Sequence, residues 1–285
     1  QKKIGHTGTL DPDAEGVLPV CLGRATKVCD LLTDKDKTYE AVLLLGKEID
    51  TQDITGTVLK ECDPSEITEE TAKKCIESFI GEYDQIPPMY SALKVNGKKL
   101  YELAREGKVV ERKSRKVQIY DIRIKEMKLP RIRMEVSCSK GTYIRTLCND
   151  VGEVLGVGGC MESLLRTKVS RFELKDSMKL ADIEKAKNEG RTEEIILPLD
   201  EVFVEYPKII VTGRQAQLAY NGNPFPKESA KNLILPGKDG GEDDLSDIFS
   251  RYKKYRVYDE QGRFIAIYSY QKQRQLFRIE KMFFD

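Results

Sequence analysis

Two alternating runs, Val117–Met127 and Arg131–Cys138, constrain the fold of this chain more than any other stretch. Each alternates apolar with polar residues, close to the period of a half-buried strand. Leu129-Pro130 lies between them, so the pair reads as an antiparallel hairpin. After Ser139-Lys140-Gly141-Thr142 the period changes, and Tyr143–Leu155 reads as a helix that ends at Gly156. A further strand is expected at Lys37–Leu45, where KTYEAVLLL alternates and then turns continuously apolar before Gly46. Thr68 as N-cap, Glu69 and Glu70 in the first turn, and Ala72, Cys75, Ile76, Phe79 and Ile80 at helical spacing predict a helix closed by Gly81.

A break in texture near Leu197-Pro198-Leu199 precedes KIIVTG and the Gly/Pro-rich NGNPFP, which places a domain boundary around residue 200. The 285 residues suit this division into a large domain, 1–200, and a small one, 201–285. Lys238–Asp247, acidic and glycine-containing, reads as a mobile loop. The alternation of YRVYDEQGRFIAIYSY, with its turn at Asp259–Gly262, followed by QLFRIEKMFF, predicts a small all-β module.

Charge narrows the functional classes only when it is read locally. Lys and Arg total 48 against 47 Asp and Glu, so overall basicity does not point to a polyanionic partner. Between Lys94 and Lys116, however, nine basic residues face three acidic ones, and the same balance recurs over Arg251–Lys281. Lys47–Asp84, with eleven acids against four lysines, should face away from any polyanion. No apolar run is long enough to span a membrane and no signal peptide is visible, so a cytosolic setting is expected. The 7 cysteines contain no CxxC pair and read as reduced thiols in packed positions. His6 is the single histidine, so no metal site is expected and catalysis must lean on Asp, Glu, Arg, Lys or Tyr.

The densest cluster of unusual residues is GHTGTLDPDAEGVLPVCLGRATK, Gly5–Lys27, whose glycines and prolines fall too close together for a regular element. It reads as an ordered loop that feeds a short helix. Pro12 biases Asp11 toward extended geometry, so Asp11 either caps a turn or displays its carboxylate as a nucleophile or general base. To stay ionised in a closed site it needs a nearby cation. Arg145, just inside the helix of SKGTYIRT, is the candidate, with a solvent-facing helix arginine as the alternative. Tyr39 and Tyr143 are core tyrosines or platforms for a nucleobase. His6 is a turn residue or a site residue. Pro87–Gly107, with Lys94, Lys98, Lys99 and Arg105 interleaved by Tyr90 and Tyr101, has the texture of a surface that grips a phosphate backbone.

Taken together, GHTGTLDPDAEGVLPVCLGRATK, KTYEAVLLLG, DTQDITG, IPPMYSALKVNGKKLYELAR, SKGTYIRTLCNDVGEVLG and LLRTKVSRF closely resemble, in order, the TruB family of tRNA pseudouridine synthases. The resemblance implies an α+β fold: a mixed, mainly antiparallel sheet with flanking helices in the catalytic domain, and a C-terminal all-β PUA-like domain. It implies Asp11 as the catalytic aspartate, Arg145 as its partner, and Tyr39 as the ring that stacks on the target uracil. His6 would lie near the space the extruded base vacates, with Tyr143 and Leu165 in the pocket and Lys94 in a stem-gripping insertion at 85–113. The implied reaction isomerises uridine-55 of the tRNA T-arm without cofactor or metal, and a monomer is expected. Family members usually begin with a further strand carrying a Lys-Pro-x-Gly-type turn, so that strand is expected to be missing ahead of Gln1. Two rival readings are an RNA-binding module or tRNA-folding chaperone, and a guide-RNA-dependent synthase acting on another RNA.

Overall fold

The computed structural model describes residues 2–33, 35–237 and 245–283. The chain divides into two compact units. One joins Gly5–Cys21 to Val28–Ser177, and the other joins Met178–Asp285 to the short segments Gln1–Ile4 and Leu22–Lys27.

The larger unit is built on five main strands: β1 (Lys37–Leu45), β2 (Gly81–Gln85), β3 (Arg115–Lys128), β4 (Arg131–Cys138) and β5 (Gly159–Val169). The sheet runs in the order Phe172–Glu173, β5, β1, β4, β3, β2, with the two-residue strand Glu15–Gly16 alongside β5. All pairings are antiparallel except that of Glu15–Gly16 with β5. The hairpin expected from the sequence is β3 and β4, closed where Lys128 faces Arg131. β1 covers the predicted residues, and its Tyr39, Ala41, Leu43 and Leu45 enter the core on one face, as period-2 geometry requires.

That face is covered by α1 (Glu69–Glu77) and α2 (Ile144–Val154), which contribute Ala72, Cys75 and Ile76, and Ile144, Leu147, Cys148 and Val151. Thr68 caps α1 by accepting a hydrogen bond from the Thr71 amide at 3.2 Å. The helix stops at Glu77, where the Ser78 hydroxyl donates to the Cys75 carbonyl at 2.6 Å. Phe79 and Ile80 lie beyond it, and Gly81 opens β2 instead of closing the helix. The insertion between β2 and β3 has its own small core of Met89, Leu100 and Leu103, a two-strand ribbon (Lys94–Val95 with Lys98–Lys99) and a helix at Leu100–Arg105.

The second unit holds a six-stranded sheet in the order Phe225–Pro226, Leu276–Met282, Phe264–Gln271, Lys254–Tyr258, Lys208–Ile210, Leu233–Ile234. Its core is rich in aromatic rings, with Phe277 against Phe225 and Tyr255 at centroid separations of 5.2 Å. Helices at Gly213–Tyr220 and Leu245–Arg251 accompany the strands. The turn expected at Asp259–Gly262 joins two strands of this sheet. Of the acidic loop expected over Lys238–Asp247, residues 238–244 lie outside the described residues, and Asp247 is helical. The division after Ser177 precedes the boundary expected at 200, because residue 200 is packed into the second sheet. The Tyr258 hydroxyl donates to Asp200 at 2.8 Å, and the buried Phe203 stacks on Tyr206. All 7 cysteines are free thiols, and no helix among the described residues is long and apolar enough to cross a membrane.

Candidate active site

The glycine-rich loop is pinned on both sides of Asp11. Before it, the Thr7 amide donates to the Pro19 carbonyl at 3.3 Å; after it, Ala14 N–H closes a turn onto the Asp11 carbonyl at 3.0 Å. Val17 N–H then donates to the Arg166 carbonyl at 2.8 Å, continuing the parallel pairing of Glu15–Gly16 with β5. Gly16 has φ 114°, and a Cβ there would collide with the Arg166 backbone, so only glycine allows this approach. A loop that looks irregular in sequence is thus fastened to the sheet, with Asp11 displayed at its turn.

Arg145 enters from the first turn of α2. The start of that helix is fixed by Gln85 at the end of β2, whose amide donates to the Tyr143 carbonyl at 3.0 Å and accepts from the Tyr143 amide at 2.8 Å. A buried guanidinium must be paired, and the Arg145 side chain is only 6% exposed. Its Nη2 donates to Asp11 Oδ1 at 3.0 Å, and its Nε lies 2.9 Å from Asp11 Oδ2, an ionic contact too bent to be a hydrogen bond. The remaining valences go to Asp53 Oδ2 and the Thr51 carbonyl, both at 3.3 Å from Nη1, and to the Tyr90 carbonyl at 3.1 Å. Burial pushes the Asp11 carboxyl above the usual aspartate range, Arg145 pulls it down, and the neighbouring Asp53 pushes it up again. One cation serves two carboxylates, so Asp11 is held in place while remaining easier to protonate than a free aspartate.

Tyr39 lies in the core of the same sheet face, 8% exposed, with its phenol pushed up to about 12 by burial. Arg166 and Asp11 both act on that phenol, which places it beside the loop of Asp11. Tyr143 caps α2 and feels the charges of Arg145 and Asp11, so it too belongs to the cluster. His6 is exposed, its Nδ1 accepting from the Gly8 amide at 3.4 Å. Lys94 is exposed on the ribbon of the insertion.

Leu165, expected in the pocket wall, lies on the sheet face opposite Tyr39. In the β1–β5 register Arg166 faces Tyr39, Leu165 faces Glu40 and Leu164 faces Ala41. Residues directly opposite share a face, so Leu164, packed against the core that contains Tyr39, lies on the site's side and Leu165 on the other. Two residues carry weight that the sequence reading did not assign. Asp53 is tied by the Thr51 and Thr55 hydroxyls at 2.9 and 2.5 Å while it pairs with Arg145. Arg166, 1% exposed, is among the largest fully buried side chains. The available signal for both was their place in DTQDITG and LLRTKVSRF.

This fold is shared with an H/ACA ribonucleoprotein solved with a substrate RNA containing 2′-deoxyuridine, at a TM-score of 0.67 and 22% identity over 100% of this chain and 77% of that one. It is shared as well with a Cbf5–Nop10–Gar1 complex, at 0.66 and 23% over 99% and 77%. Sequence narrows the class to one family. Residues 1–144 match the TruB family pseudouridylate synthase N-terminal domain, and residues 145–204 match the tRNA pseudouridylate synthase B C-terminal domain. The tRNA pseudouridine synthase B of Lachnoclostridium phytofermentans is 52% identical over 99% of this chain and 91% of its own length. Its counterpart from Clostridium perfringens is 41% identical over 100% and 90%. The chain belongs to the TruB family of pseudouridylate synthases.

Proposed function

We propose that this chain is a tRNA pseudouridine synthase that isomerises uridine-55 of the T-loop, acting as a cytoplasmic monomer. The observation that carries the reading is the Asp11–Arg145 pair beside Tyr39, built from a loop, a helix and a strand that the sheet holds together. The reaction breaks the C1′–N1 bond of uridine and turns the uracil. It then forms a C1′–C5 bond, with loss of the C5 proton and protonation of N1, so atoms and electrons balance within the nucleoside. Asp11, ionised, either attacks C1′ or removes a ribose proton to start a glycal route. Arg145 keeps the carboxylate charged and aimed. Tyr39 offers a face on which the uracil stacks, with Tyr143 beside it and His6 at the loop's outer edge.

The target base must leave its stack, at a cost of a few kcal/mol that is smallest in a loop. Stacking and phosphate contacts from the basic insertion at 85–113, Lys94 among them, offset this, and the T-arm is recognised mainly by shape. Affinity should therefore fall steeply between about 50 and 200 mM salt. A flat affinity over that range would count against the basic insertion as the footprint. Tritium release from 5-labelled uridine in a bare T-arm hairpin tests the reaction itself. Release by the wild-type chain supports the reading, and binding without release turns it toward a chaperone or a guide-dependent enzyme.

A further inference from the structure

We infer that Arg166 is a positioning residue that locks the catalytic loop and the stacking tyrosine into one rigid unit, an assignment that rests on the proposed activity. Its guanidinium is buried without an acidic partner among the contacts of the described residues. Instead, Nε donates to the Val17 carbonyl at 2.7 Å and Nη2 to the Gly8 carbonyl at 3.0 Å. These carbonyls lie on opposite sides of Asp11, so one planar fork closes the loop like a staple across its base. The same guanidinium lies close enough to the Tyr39 phenol to act on it, and Arg166 faces Tyr39 directly in the strand register. The Arg166 backbone adds a further fastening through its carbonyl, which accepts from Val17 N–H, and through its close approach to Gly16.

A buried cation satisfied by neutral carbonyls is costly to install, and hydrophobic residues of similar volume would fill the same space more cheaply. Its geometric yield is specific: the fork sets the distance between the two arms of the loop and couples both to the aromatic ring. Lysine cannot reproduce this, because an ammonium on a flexible stem has no rigid fork.

The test compares wild type, Arg166→Lys and Gly16→Ala in single-turnover isomerisation, tRNA binding and hydrogen exchange. Arg166→Lys should lower the single-turnover rate about a hundredfold, the scale expected of a misplacement near 1 Å, while tRNA affinity stays within about threefold. Exchange should accelerate in a peptide covering Gly8–Val17 and stay unchanged in β1, a local signature that general loss of stability would not produce. Gly16→Ala leaves the guanidinium intact but forces the backbones apart, and it should reproduce both effects if the lysine variant fails to fold. A rate within threefold of wild type, or acceleration of exchange throughout the sheet, overturns the assignment. If wild type does not act on the T-arm uridine, the proposed activity falls instead, and the exchange data alone decide the clamp.

Discussion

Each unit contains an aspartate paired with an arginine, and the two pairs behave oppositely. At Asp11–Arg145 the cation is buried and the carboxylate is 37% exposed; at Asp259–Arg263 the carboxylate is 5% exposed and the arginine 59%. Burial pushes both carboxyls up, but Asp259 receives the Tyr220 hydroxyl at 2.6 Å, the Gln261 and Arg263 amides at 3.0 and 2.9 Å and the Arg263 Nε at 2.7 Å. These donors hold it down to about 2. Among the described residues Asp11 has only Arg145 as a side-chain partner, which it shares with Asp53, and it stays above the ordinary range. The lesson is that donor supply, not residue type, separates the two. A carboxylate with four donors locks a turn, whereas one with a single divided cation keeps the reactivity that the role proposed for Asp11 requires.

The contrast can be broken at several points. The largest effect expected is from Asp11→Asn, which should leave turnover below about 1% of wild type in tritium release, with tRNA affinity changed only a few fold. Its melting temperature should be no lower than that of wild type, since burial already works against the charge at this position; a clear drop would mean that Asp11 is structural after all. Arg145→Lys should reduce the rate by about 10²–10³, because a point charge cannot grip Asp11 and Asp53 together. Equal activity would show that the fork is dispensable. Asp259→Asn should leave catalysis intact and lower stability by about 1–3 kcal/mol in denaturant unfolding. That difference should be fully present above the unfolded aspartate's value of about 3.9 and vanish as pH falls toward 2, the direction set by a depressed folded-state value. The smallest effect concerns pH and rate. The acid limb of kcat/KM should lie above the value of an ordinary aspartate, and a limb at or below it would remove the burial argument for Asp11.

Much of this arrangement was legible in the chain because it follows from period and punctuation. The bounds of β1, the hairpin of β3 and β4, the Thr68 cap and the helix that carries Arg145 are all local statements, and each is met. The errors came from long-range geometry. β5 shifts register between Met161 and Ser163 and again between Arg166 and Lys168, and such irregularities decide which leucine shares the sheet face of Tyr39. Nothing local to LLRTKVSRF reveals them. Asp53 and Arg166 escaped notice for a related reason: their partners are separated from them by up to 158 residues, and an arginine is ordinarily read as a surface group. The helix ends before its spacing predicts because Phe79 and Ile80 keep helical spacing while the Ser78 hydroxyl already bonds back to the Cys75 carbonyl.

The order of strands in the larger sheet has a consequence for how this protein behaves in a crowded solution. One border is the two-residue strand Phe172–Glu173, and the other is β2, a short strand with Glu82 and Asp84 exposed along it. At its last residue β2 spends the buried Gln85 side chain on the backbone of Tyr143, which seats the helix that carries Arg145. Both borders are short, and the exposed acids along β2 discourage a foreign chain from pairing there, so the sheet is guarded against self-assembly into fibrils.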